Sequence, residues 1–82
     1  MDTEIGMVGS EKTNTQAIKI GIREWKGRTG VDIRRHFKMG ADWAPTTKGV
    51  WLQINEVKEA ITLLERAEAE LTKRGLYGKT KP

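Results

Sequence analysis

Between Arg23 and Phe37 the chain places Arg23, Trp25, Lys26, Arg28, Arg34, Arg35 and Phe37, cations interleaved with flat rings. A sequence-tolerant grip on a single strand of nucleic acid has two requirements. Positive charges must follow the phosphates, and rings must stack on unpaired bases, each stack being worth about 1–3 kcal/mol. This stretch holds both. Trp25 stands beside Gly27 at a turn, where a large ring is hard to bury. The plainer alternative makes Trp25 and Phe37 core residues and the cations a solvated face, and pattern alone weighs the two evenly.

Other chemistries fare worse. His36 is the sole histidine, and a lone histidine on a strand reads as structural or exposed rather than catalytic. Asp32 has no second carboxylate near it to hold a metal and serves equally well as partner to a neighbouring arginine. Trp43 stays ambiguous. Trp51 alternates away from Val50 and Leu52, so it either extends a stacking surface or packs between subunits. Gly78-Lys79-Thr80 lacks the upstream glycine spacing and the following helix of a phosphate loop. With no cysteine there are no disulfides or thiolate metal sites, which fits a reducing compartment. No catalytic residue, metal site or cofactor is expected.

The elements that carry the basic stretch follow from periodicity. Ile18, Ile20 and Ile22 alternate with Lys19, Gly21 and Arg23, the period of a half-buried strand. Lys26-Gly27 supplies a turn, and residues 29–37 place Val31, Ile33 and Phe37 in one parity and Asp32, Arg34 and His36 in the other. Two such strands make a hairpin. Residues 40–47, with Pro45, read as a loop or a strand bent around the proline. Val50, Leu52 and Ile54 mark another strand. Asn55 is placed as helix N-cap, with Glu56 and Glu59 complementing the dipole of the first turn. Val57, Ala60, Ile61, Leu64, Ala67 and Leu71 form one apolar stripe, and Gly75 ends the helix. Ile5, Met7 and Val8 suggest a short edge strand inside an otherwise flexible segment 1–15. The folded domain is expected over 16–74, with a basic flexible tail at 75–82. Strands followed by one helix give an α+β fold with an antiparallel sheet. One helix covers one face of the sheet, which leaves the face of Lys19, Arg23 and Arg34 open.

The charge is segregated in the same sense. The 82 residues are 37% hydrophobic and 32% charged, with a formal net charge of +4. Residues 1–11 carry −3, residues 12–54 carry +6, residues 55–71 carry −3 and residues 72–82 carry +4. The middle of the chain is thus the part that faces a polyanion. A domain of this size is marginal alone and gains from a partner subunit. The acidic start Met1-Asp2-Thr3-Glu4, with no long apolar run after it, points to an intracellular protein without signal peptide or membrane span.

Three segments, taken in order, resemble the eukaryotic transcriptional positive cofactor four family, single-stranded-DNA-binding coactivators with relatives in bacteria and phages. They are Ile22-Arg23-Glu24-Trp25-Lys26-Gly27-Arg28, Val31-Asp32-Ile33-Arg34 with Phe37, and Pro45-Thr46-Thr47-Lys48-Gly49-Val50-Trp51-Leu52. The match runs over residues 18–71. It implies a curved four-stranded antiparallel sheet followed by one C-terminal helix, working as a homodimer with single-stranded-DNA-binding β-ridges. By position, Trp25 and Phe37 match the stacking rings, and Arg23, Lys26, Arg28, Arg34 and Lys48 match the basic positions that face the strand. Ala44, Thr46 and Thr47 depart from a segment usually richer in lysine, arginine and glycine, Gly30 lies inside a strand, and the helix lacks a tryptophan near its start. The family's serine-rich N-terminal region is absent, so a compact prokaryotic or phage-type member is expected, in the bacterial cytoplasm or nucleoid, or in the nucleus if eukaryotic.

The expected function is non-catalytic, sequence-tolerant binding of single-stranded DNA or melted duplex, serving transcription, replication or recombination. RNA stays open as a ligand, since stacking and phosphate contacts do not report the 2′-hydroxyl. A different class is a protein-interaction adaptor docking its acidic helix or basic tail on the transcription or replication machinery. A nuclease would need clustered carboxylates or an acid–base pair, and the sequence offers neither.

Overall fold

The computed structural model describes residues 2–11 and 14–76. Four strands, β1 (Thr3–Val8), β2 (Gln16–Trp25), β3 (Arg28–Met39) and β4 (Asp42–Gln53), precede one helix, α1 (Ile54–Lys73). The strands form a single open antiparallel sheet in the order β1-β2-β3-β4. This is the expected α+β arrangement.

The turns have the residues their geometry needs. Lys26 (φ 52) and Gly27 (φ 76) both take the left-handed conformation that a tight type I′ hairpin turn demands. Trp25 and Arg28 are the last register pair before it. Between β3 and β4, Gly40 (φ 64) stands at the first central position.

The expected edge strand at Ile5, Met7 and Val8 is present and begins two residues earlier: Thr3–Val8 pairs along β2, with Thr3 opposite Ile22 and Val8 opposite Ile18. Charge accounts for this where hydrophobic pattern does not: the Lys19 ammonium lies 3.2 Å from the Glu4 carboxylate, and Asp2 accepts the Glu24 backbone N–H at 3.1 Å. Of the two readings of residues 40–47, the strand bent around the proline holds, since residues 42–47 belong to β4. The register against β3 shifts between Arg34 and His36, and beyond the shift Pro45 stands opposite His36. Such an irregularity is where a sheet tolerates proline. Thr46 Oγ1 meanwhile donates to the Arg35 carbonyl at 2.7 Å. One expectation is corrected: the N-cap is Gln53, not Asn55. The Glu56 carboxylate accepts the Gln53 N–H at 2.9 Å, so β4 runs into α1 with no intervening residue.

The helix ends as expected at Gly75 (φ 74). Gly75 N–H donates to Thr72 O at 2.9 Å and Leu76 N–H to Leu71 O at 2.9 Å, the paired bonds of a Schellman cap. The rest of the basic tail, from Tyr77 on, lies outside the described residues, as does the Gly78-Lys79-Thr80 segment.

The core is thin. Among the described hydrophobic residues only Ala17 is buried, and α1 buries no side chain. Ile22, Thr29 and Val31 of the sheet and Ile54, Val57 and Ile61 of α1 line one apolar groove, which puts the helix on the isoleucine face. Leu63, Leu64 and Leu71 remain exposed. The radius of gyration is 14.7 Å, against about 12 Å expected for a compact chain of this length. No helix among the described residues is long and apolar enough to cross a membrane.

Candidate nucleic-acid interface

Alternation places Lys19, Gly21 and Arg23 of β2 on one face with Gly30, Asp32 and Arg34 of β3, opposite the face that carries the helix. Asp32 stands at the centre, 6% exposed. A carboxylate this buried needs compensation. Arg34 supplies it with two parallel bonds, Nη2 to Oδ1 at 2.9 Å and Nε to Oδ2 at 3.2 Å. Its remaining Nη1 donates to the Thr46 carbonyl at 3.0 Å, tying β3 to β4. The hydrogen bond to Asp32 raises the pKa of the Arg34 guanidinium, partly offset by desolvation, so it stays charged at every working pH. Arg23 approaches the same carboxylate at 3.7 Å and that of Asp2 at 3.8 Å.

Two glycines make the packing possible. A Cβ on Gly49 would lie 2.9 Å from Arg34 Cζ, and one on Gly30 would lie 2.4 Å from the Trp51 ring. The Arg34 guanidinium and the Trp51 indole therefore lie flat against strand backbone. Together with Trp25, Pro45 and Thr46 they enclose an open cleft of about 530 Å³, in the range of ligand sites. Trp25 is 62% exposed, and the Lys26 ammonium sits 4.7 Å from its ring centroid. Farther along the same face Lys38 lies 5.4 Å from the Trp43 ring.

The family described as Transcriptional Coactivator p15 (PC4) matches residues 12–62, a span that contains every side chain of the cleft. The chain belongs to the PC4 family. A crystal structure of a PC4 homolog from Burkholderia pseudomallei, orthorhombic form, is similar with a TM-score of 0.71 and 30% identity, covering 79% of this chain and 86% of that one. The tetragonal form gives a TM-score of 0.69 and 29% identity, with 82% and 97% covered. No curated protein matches the chain. A compact, bacterial-type PC4 member with four strands and one helix is what these likenesses support.

Of the residues the sequence singles out by PC4 position, Arg23, Trp25 and Arg34 line the cleft together. Lys26 flanks it through its contact with Trp25. Arg28 lines a shallower recess with Trp51 and Gln53. Lys48 is exposed on β4, its backbone N–H bonded to Thr46 Oγ1 at 3.1 Å. Phe37 is not brought to this cleft: it pairs with Gln16 and Ala44 in the parity of Val31 and Ile33, 38% exposed on the opposite face. The sequence names Pro45, Thr46 and Thr47 within the family-like segment but does not mark them as cleft walls. His36 is buried with Nδ1 3.2 Å from the Arg34 carbonyl, a structural setting. No group of three metal-ligating side chains occurs among the described residues.

Proposed function

We propose that this PC4-family chain is a non-catalytic, intracellular, sequence-tolerant single-stranded-DNA-binding protein that acts as a homodimer. The observation that carries the reading is the exposed indole of Trp25, standing in an open cleft with Arg23 and Arg34 and flanked by Lys26. Stacking platform and cations occur side by side, as binding of a single strand requires. Family membership supports a coactivator-like role. Strands opened during transcription, replication or recombination are the natural ligands. The uncovered leucines of α1 and the thin core favour a second copy as the partner of the helix. Lys48 then extends the surface beyond the cleft, and Phe37, on the helix-bearing face, joins it where the second copy brings that face to the strand.

Fluorescence anisotropy with a labelled single strand, its duplex and the matching RNA tests the reading across a salt series. Trp25→Ala is expected to weaken single-stranded DNA binding about 5- to 150-fold, the worth of one stack. Affinity should fall steeply with salt as counterions are released. Equal, weak binding of all three ligands, unchanged by Trp25→Ala, would instead favour an adaptor whose acidic helix docks on another protein.

A further inference from the structure

The charges of the cleft floor are already committed. Asp32 holds Arg34 by two hydrogen bonds and lies 3.7 Å from Arg23, which also meets Asp2. The third donor group of Arg34 is taken by the Thr46 carbonyl. A phosphate entering there would have to displace a buried carboxylate from its partners, or sit beside it. The walls offer something else: two indoles, Trp25 and Trp51, and the ring of Pro45.

Trp51 is not held as a core residue. It stands on the face opposite α1, directly across from Asp32. Its Nε1 is buried and finds no hydrogen-bond partner among the described residues, so packing against Gly30 and no polar contact fixes the ring. Gly30 leaves the space it occupies. Outside the cleft, Arg28 and Lys48 are exposed and make no ion pair among the described residues, and the exposed Lys26 ammonium sits over the Trp25 ring.

Resting on the single-strand reading above, we propose that the Trp25–Trp51 cleft takes a nucleobase while Lys26, Arg28 and Lys48 carry the phosphates outside it, which makes Trp51 a specificity-determining residue. Asp32, with Arg34 already paired to it, disfavours a phosphate at the floor, which admits a flat, uncharged ring, while the half-exposed Arg23 stays available to the strand at the rim. The surface so built distinguishes a strand with bases from a bare sugar-phosphate chain.

The test compares labelled oligothymidylate with an abasic strand of equal length. Wild type should prefer the base-bearing strand about 5- to 150-fold. Trp51→Ala should cut that preference at least about fivefold, leaving abasic affinity and salt slope unchanged, while Trp51→Phe keeps most of it. The double variant Lys26→Ala/Arg28→Ala should weaken both strands alike and reduce the salt slope by about 1.4, the share of two phosphate contacts on a single strand. Salt-dependent binding of both strands by wild type with no base preference would overturn this inference and leave the single-strand reading standing. So would a Trp51→Ala variant that loses both strands equally while Trp51→Phe does the same. Failure of wild type to bind either strand would overturn both.

Discussion

Asp32 sets the character of the cleft more than any cation around it. A buried carboxylate is expensive unless its oxygens are satisfied, and here two arginines and a strand carbonyl share the task of fixing it and each other. The aspartate thus orients Arg34 flat over Gly49 and withdraws charge from the floor. Asp32→Asn should have opposite effects on stability and binding. Loss of charge-assisted bonds should cost about 1.5–3 kcal/mol in denaturant unfolding. The released arginines should steepen the salt dependence of strand binding by about 0.7 for each new phosphate contact. The sequence already allows Asp32 an arginine partner, because Arg34 lies two residues away on the same parity. It does not disclose Thr46 or Asp2, which reach the site only through the register of β4 and β1.

At the level of elements, the β2–β3 hairpin is the most legible part of the chain. Strict alternation of Ile18, Ile20 and Ile22, followed by Lys26-Gly27, leaves few other foldings. The turn also aims Lys26 and Arg28, so its backbone is a binding determinant. Gly27→Ala, at φ 76, should cost about 1–2 kcal/mol, the penalty for a Cβ in the left-handed region. Thermal unfolding gives that figure, and anisotropy should show weaker strand binding with it. The helix is equally plain from its stripe, apart from its first residue: Glu56 caps Gln53, and a capping glutamate is easily read as a mere first-turn acid. Strands β1 and β4 are harder for separate reasons. The edge strand β1 is attached partly by ion pairs, which leave no period in sequence. In β4, Pro45 leaves loop and bent strand both open in sequence, and the register shift decides for the strand.

The whole molecule is a plate, 43 × 36 × 18 Å, with polar chemistry on one side and unfinished packing on the other. Segregated charge along the chain foretells the first side, and the thin core leaves the second open. Leu64, 67% exposed on α1, belongs to the stripe that a second copy would cover. Leu64→Asp should therefore convert a dimer to monomer in sedimentation analysis, lower the thermal midpoint and abolish its dependence on protein concentration. A wild-type chain that sediments as a monomer at all concentrations would remove the homodimer from the reading. Phe37, on the helix-bearing face, is the one expected stacking ring whose part depends on how two plates are arranged.

The joint between sheet and helix has a mechanical meaning. Gln53 is at once the last residue of β4 and the cap of α1, and Trp51 stands two residues before it. No slack exists there to absorb a tilt. A load placed on the helix reaches the wall of the cleft as leverage rather than dissipating in a hinge, so whatever seats α1 also tunes the width of the gap between the two indoles.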